Sequence, residues 1–571
     1  MINQLGSTQL KIVRGLPPRD ALEDELVAMD IEVFGFDTNL VDSGEFACIT
    51  VCMMGNPDVV YFIRDWRQVP ELLRRMDKGV WVFHNATYDL RRLKMICEVD
   101  DHLILDTQIF ERDLFGGYYD KFGLDALARR WLGVRLRKDI RDKFRTATDF
   151  TPEMEEYAAR DAWATLRVAI RQLEYVTEND INPVWYWEID APCIWAVLDF
   201  LPVKLDVDLW MMLRDESSKR GRDLEKKLGL NVYSHPQVRE FVGKLVGREL
   251  DKAGASILKG VAEDLRHRGR EEDAELVEEI LEARKWRKQA SSYGANWIEK
   301  YVRKGGLIIP DWIVTGAETG RTACRKPSLQ NVPVRRDIRY RRAFISQYPN
   351  GVILVSDVAQ QELRINAYLS KDPLLLEAFR SGEDVHEWTA KEQGTDRDTA
   401  KTLNYGMSYG MSPYGLAARL QISNEEAKKR LDDYFKKFRG VHAYIKRMRQ
   451  RAKRDGYVTT TTGRPIWLNP YNYKWRNNAV NGPIQGSGGD HMKLACVKIR
   501  EYCKSEGLLF PVTMMIHDEI VADIGEPALV PQYEEITRAA WVDAGERIIP
   551  GIPIEVDVHT GRTWAAKKED E

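Results

Sequence analysis

The chain has 571 residues, 44% of them hydrophobic, which suffices for sizeable cores, suits about three to four domains and excludes wholesale disorder. Its formal net charge of −3 decides nothing by itself. Basic runs at 284–288, 335–342 and 446–454 and an acidic run at 271–279 segregate the charge, so a basic groove can exist on a nearly neutral protein. The seven cysteines form no CxxC pair or zinc spacing, which suits reduced, mostly buried thiols in a cytosolic protein. The start reads as no signal peptide, and no apolar run is long enough for a membrane span.

Residues 31–64 read as strands (IEVFGFD, FACITVCMM, VVYFIRD) separated by turn residues. The strand WVFHN follows, and helical patterns cover 124–133 and 153–173, so a compact α/β domain is expected to end near residue 175. Residues 205–305 are helical and highly charged, which predicts an extended helical hairpin rather than a globular core. Strand signals return at 307–313 and 352–357, helices dominate 372–455, and VTMMIHDEIVADI reads as two short strands around a tight turn. There is no internal repeat.

Arg397, Lys401, Tyr405 and Tyr409 recur every four residues and form one drifting stripe on a helix. Two cations followed by two aromatics suit a nucleoside triphosphate. A solvated amphipathic helix with packed tyrosines is the competing reading. Asp357 ends an apolar strand, and Asp518 and Glu519 interrupt an apolar hairpin, where charge is costly unless paired or metal-bound. Two carboxylates holding two Mg²⁺ ions would supply what phosphoryl transfer needs.

At these residues the chain resembles the family A DNA polymerases. DVAQQELR at 357–364 is similar to the family's DYSQIELR, RxxxKxxx(F/Y)xxxYG is matched from Arg397 to Gly410, and HDE stands at 517–519. TGR at 319–321, LQNVPVR at 329–335, DVH at 384–386 and NGPIQGSGGD at 481–490 add ordered matches. The resemblance implies a right-hand architecture over 176–571, with thumb near 205–305, palm at 306–370 and 486–571, and fingers at 371–485. It implies Asp357 and Asp518 as metal ligands and Glu362 as the steric gate against a ribose 2′-hydroxyl. Arg397 and Lys401 would hold the triphosphate, with Tyr405 stacking on the incoming nucleotide and Tyr409 guarding the template base. Gln360 and His386 are further nucleotide-binding candidates. Arg321, Gln330, Asn331, Arg335, Asn481, Gln485 and His517 would line the primer–template minor groove or the primer end. Val358, Ala359 and Gln361 depart from the family's Tyr, Ser and Ile.

The N-terminal part resembles the DnaQ-like 3′–5′ exonucleases, whose domain is ribonuclease-H-like. Asp37 follows the strand VFGF, Asn85 and Asp89 lie in HNATYD, Tyr157 and Asp161 stand four apart in YAARD, and Asp106 matches a further acid with a secondary, structural role. The resemblance covers residues 28–170 of a domain placed at 1–175. The family's Asp-x-Glu is matched here to Asp37-Thr38-Asn39, so Asp37, Asp89 and Asp161 would hold metal and Asn39 would weaken it. A folded domain that degrades DNA weakly or not at all is therefore expected. The fold class implied is multidomain α/β and α+β: a ribonuclease-H-like exonuclease domain, then a right-hand polymerase domain.

Two Mg²⁺ ions at the polymerase site, two at the exonuclease site, Mn²⁺ able to stand in, primer–template DNA and dNTPs as partners, a monomer and a cytoplasmic setting complete the expectation. The start of the chain at the exonuclease segment favours a phage-type replicase or a shortened repair polymerase. A single-subunit RNA polymerase and a non-catalytic DNA-binding scaffold are the alternatives; Glu362 opposes the first, and Asp357 with Asp518 the second.

Overall fold

The structure is a computed structural model that describes residues 10–18, 26–332 and 338–566; Arg335 lies outside the described residues. The N-terminal part is built on a six-stranded mixed sheet. Its order is Lys11–Arg14, Asn56–Ile63, Glu45–Met53, Leu26–Phe34, Val80–Phe83, Ile104–Asp106. Strand Leu26–Phe34 is its centre, antiparallel to Glu45–Met53 and parallel to Val80–Phe83. Val27, Ala28, Met29, Ile31 and Val33 are buried there, while Asp30 and Glu32 alternate with Ile31 and share one face. Helix Pro152–Glu178 packs on this sheet. Thr151 caps it by accepting from the Met154 N–H, Pro152 opens it, and Ala158, Ala159 and Ala162 let it approach closely.

Residues 205–305 depart from the expected hairpin. Helices Val207–Leu228 and Glu271–Ser292 do pack lengthwise, but His235–Val246 and Ala255–His267 fold onto them. Together they enclose a separate core of Val232, Val238, Val242, Leu258 and Ile280. Surface charge hides this core in the sequence: the apolar residues are few, but most turn inward.

The C-terminal part centres on a four-stranded antiparallel sheet ordered Val512–Ile516, Glu519–Ile524, Val352–Val358, Val556–Gly561. The predicted two-strand unit is present, joined by a turn at His517 and Asp518, with His517 in the left-handed region at φ 59°. Helix Val530–Ile548 is tied under the sheet by the Trp541 indole N–H, which donates to Ser356 Oγ at 3.0 Å. Gln361, where the family carries Ile, is buried and shares a 3.2 Å hydrogen bond with His491 Nδ1, while His491 Nε2 meets the Trp541 carbonyl at 2.9 Å. The polar departure is thus satisfied inside the core.

The two parts meet at a buried charge cluster. The Arg464 guanidinium donates to Asp113 of the first part, to Asp190 at 2.7 Å and to Asp490 at 2.7 Å, and Lys493 donates to Asp190 and to the Gly320 carbonyl at 2.9 Å. Burial above all, with Asp190 adding to it, pushes the Asp113 carboxyl well up against the pull of Arg464. All seven cysteines are free thiols, and six are buried. No helix among the described residues is long and apolar enough to cross a membrane.

Candidate active sites

The first site sits at the carboxyl end of the N-terminal sheet. Asp30, Glu32 and Asp161 bring ligand oxygens within 4.8 Å of one another. Asp89, buried on the neighbouring helix Ala86–Ile96, accepts from the Ile31 N–H at 2.8 Å and joins the same acidic wall. Burial first, then repulsion from neighbouring acids, raises Glu32, Asp89 and Asp161 well above the carboxylate range, and burial lifts Asp30 to about 7; Arg141 opposes at Asp30, Glu32 and Asp161, and the Ile31 N–H and Arg92 at Asp89. An all-oxygen set strained in this way fits a hard divalent cation, which would relieve the repulsion. Tyr157 is one helical turn before Asp161 and hydrogen-bonds to it. These acids, with Asn85, line a cavity of about 410 Å³.

This geometry corrects the first motif. Asp37 is exposed in a loop, where its Oδ1 accepts from the Asn39 N–H at 2.8 Å and from Asn39 Nδ2 at 3.0 Å. Its own N–H donates to Ser43 Oγ at 2.9 Å. The pair builds a local turn outside the acidic cavity, so neither Asp37 nor Asn39 is a cluster member. The Asp-x-Glu is Asp30-Ile31-Glu32, two residues apart on one strand face. The signal was legible as two acids alternating inside an apolar strand; starting that strand at Ile31 left Asp30 outside it. Asp106 has the structural role expected: it caps helix Thr107–Phe115 by accepting from Gln108 N–H at 2.8 Å and also holds Ala86 N–H at 2.7 Å.

The second site lies on the four-stranded sheet. Asp357 is the second-last residue of its strand, level with Glu519 on one side and Asp557 on the other. Asp518 is exposed at the hairpin turn immediately before Glu519. Glu519 itself is neutralised: Arg341 donates to it at 3.0 Å from both terminal nitrogens while stacking on Trp564 at 4.2 Å. Asp357, Asp518 and Asp557 are the other carboxylates at this end of the sheet.

The four-residue ladder brings Tyr405 to Asp518. On helix Arg397–Ser408, Thr399, Ala400, Leu403 and Met407 are buried, whereas Arg397 and Lys401 are exposed and Tyr405 half-buried. Burial first, then the carboxylates of Glu362, Asp518 and Asp384, raises the Tyr405 hydroxyl above its ordinary value. Tyr405 of the stripe and Asp518 of the hairpin turn therefore share one space with Glu362. Tyr409, just past the helix end, donates to Glu362 at 2.8 Å, and Arg321 donates to the other Glu362 oxygen at 3.2 Å. Arg397 is held by Asp384 at 2.8 Å. Asp384 also caps the helix carrying His386, whose ring lies 5.5 Å from that of Tyr405 and is pushed down to about 4, chiefly by burial. Gln360 takes the left-handed conformation, φ 57°, that starts the helix bearing Glu362.

The remaining polar candidates lie around this centre. Gln330 donates to the Met515 carbonyl at 3.3 Å, beside the hairpin turn with exposed His517, and Asn331 Nδ2 donates to Ser328 Oγ at 2.7 Å. Asn478, Asn481 and Gln485 form an i, i+3, i+7 stripe on helix Trp475–Ser505 that lines a groove of about 310 Å³.

Residues 213–566 match the family model DNA polymerase family A. The chain belongs to DNA polymerase family A. Residues 21–173 of this family A chain match the 3′-5′ exonuclease model. DNA polymerase I of Pseudomonas aeruginosa is 29% identical over 591 residues, covering 95% of the chain and 64% of that relative. DNA polymerase I of Mycobacterium bovis is 35% identical over 284 residues, covering 46% and 31%. The chain thus spans less than two thirds of these relatives' length. The POL domain of Pol1 from M. smegmatis, solved in complex with DNA primer-template and dNTP, shares the fold: TM-score 0.81, 23% identity, 97% of this chain and 100% of that one.

Proposed function

We propose that the chain extends a DNA primer with dNTPs on a template and carries a competent 3′–5′ exonuclease site. The observation that carries the polymerase reading is the shared space of Tyr405, Glu362 and Asp518, with the exposed cations Arg397 and Lys401 on the same helix as Tyr405. Asp357 and Asp518 would hold two Mg²⁺ ions, or Mn²⁺ in their place; such ions activate an attacking hydroxyl and neutralise a leaving pyrophosphate. Arg397 and Lys401 bind the triphosphate, and the Asp384 contact pre-orients Arg397 for it. Glu362, pinned by Arg321 and Tyr409, occupies the volume a 2′-hydroxyl would need and selects deoxyribose. Tyr405 stacks on the nucleotide over a neutral His386. Arg321, Gln330, Asn331, Asn481, Gln485 and His517 read the primer–template by acceptors common to every base pair.

At the other site Asp30, Glu32, Asp89 and Asp161 would hold the metal ions, and Tyr157 orients the attacking water. The full acidic set replaces the expectation of a weakened exonuclease. Primer extension with Mg²⁺ and dNTPs, run beside degradation of a single-stranded 3′ end, tests both. Extension with NTPs in preference to dNTPs would favour the RNA polymerase alternative, and DNA binding without extension the scaffold. The chain acts as a monomer in a cytoplasmic setting in this reading.

A further inference from the structure

The cavity around Asp30, Glu32 and Asp161 is not closed by its own domain. Its lining includes Ile313 and Arg325, from the short hairpin Asp311–Ile313 and Ala323–Arg325 of the C-terminal part. The hairpin segment is fixed in place: Arg325 Nε donates to Asp311 Oδ2 at 2.6 Å, and nearby Arg303 binds Asp42 across the same seam. Facing Arg325 from the first domain is Arg112, which lines the same cavity. Arg112 makes no ion pair among the described residues, and its buried Nε has no hydrogen-bond partner. Its guanidinium stacks on Phe122 at 4.6 Å. Burial first, and then repulsion from Arg325, holds Arg112 below its ordinary value, with Asp106 opposing.

Arg325 has Asp311 as its partner, but Arg112 has no counter-ion among the described residues, so the two arginines together present uncompensated positive charge to the cavity from different domains. The acids at the far side of the cavity are spoken for by the cations they would bind. The terminal nitrogens of Arg112, which make no hydrogen bond among the described residues, and those of Arg325, whose Nε alone is held by Asp311, match a phosphodiester oxygen pair. A cavity of about 410 Å³ takes a ligand of single-nucleotide scale rather than a duplex.

We propose that Arg112 and Arg325 form a two-domain phosphate clamp on a single-stranded 3′ end, so that the polymerase part completes the exonuclease site. The proposal rests on the exonuclease reading of the acidic cavity. Arg325 is here a positioning residue: it holds the strand and does not touch the reacting atoms. The competing reading is that Arg325 merely staples its hairpin through Asp311.

The test uses the full chain with Arg325→Ala, Arg325→Lys and Asp311→Asn. Binding of a 5′-fluorescein-labelled four-nucleotide oligo(dT) in Ca²⁺ is read by anisotropy, and degradation of the same oligonucleotide in Mg²⁺ gives KM and kcat. Arg325→Ala should weaken binding and raise KM roughly tenfold, with kcat within about twofold of the parent. Arg325→Lys should recover part of the affinity, and Asp311→Asn should bind and degrade as the parent does. Parent-like binding by Arg325→Ala, or an equal loss in Asp311→Asn, overturns the proposal, as does failure of the parent chain to bind the oligonucleotide. Parent chain that binds but does not degrade, with the Arg325→Ala loss intact, would sink the exonuclease reading and the completion of that site with it, and leave only the phosphate contact of Arg325.

Discussion

Arg464→Met is expected to be among the most destabilising single changes in the protein. The guanidinium is 1% exposed and its partners Asp113, Asp190 and Asp490 are fully buried, as is Lys493. Asp113 is pushed up, chiefly by burial, and hydrogen-bonds to Asp190 as the proton donor; burial would raise Asp190 too, but Arg464 and Lys493 outweigh it and hold Asp190 low. Two carboxylates then balance two cations. Methionine fills the volume but leaves one buried carboxylate without its counter-charge, which costs about 3–5 kcal/mol. That is a large share of the roughly 5–15 kcal/mol that holds a domain folded. Asp113→Asn, by contrast, keeps a donor toward Asp190 and removes no charge, so it should cost about 1 kcal/mol or less. Urea unfolding followed by tryptophan fluorescence reads both, because the cluster joins segments of both parts. A shift below about 1 kcal/mol for Arg464→Met, or equal damage from Asp113→Asn, would refute the charge balance described.

Other outcomes follow from the same geometry. Asn39→Glu should leave 3′-end degradation within about twofold, since Asn39 sits in a separate turn, whereas Asp30→Asn should abolish it; gel assays of a labelled 3′ overhang read both. Tyr405→Phe should raise discrimination against dideoxynucleotides roughly fivefold, the worth of one hydrogen bond that the phenol would give in place of a missing 3′-hydroxyl; an unchanged dideoxy/deoxy incorporation ratio would rule this out. His84 is pushed down to about 3 and His386 and His491 to about 4, all chiefly by burial. Bases held low are neutral in the fold, so their contribution is whole above the ordinary 6.5 and is lost as the pH falls toward 4. The raised carboxyls of Asp30, Glu32, Asp89, Asp113 and Asp161 take up protons in the fold over the same range and oppose this, so the readout is a difference: between pH 7 and 4 the melting temperature of His491→Asn should gain on that of the parent, and parallel curves would refute the assignment.

The polymerase centre was legible because its chemistry is local. The ladder on residues 397–409 needs only helical periodicity, and Asp357 and Asp518 stand out as acids at the ends of apolar strands. Their convergence could not be read, since it depends on the pairing that sets Asp357 beside Glu519. The exonuclease acids were half legible. Asp89, Tyr157 and Asp161 stand at recognisable spacings, but Asp30 and Asp37 both flank the segment IEVFGF, and only the pairing of Asp30 with Thr50 inside the sheet separates the strand acid from the loop acid. The Arg464 cluster draws on positions 113, 190, 464, 490 and 493, and no periodicity links them. Arg325 was equally hidden: its place in the first cavity comes from how the two parts dock.

In the proposed function two separate acidic centres do two separate jobs on DNA. The direct measurement is primer extension and 3′-end degradation in one Mg²⁺ buffer, comparing the parent with Asp518→Ala and Asp30→Asn. Asp518→Ala should lose extension by at least roughly a thousandfold and keep degradation, and Asp30→Asn should show the reverse. Parent-like extension by Asp518→Ala, or the two activities falling together in either variant, would contradict the account.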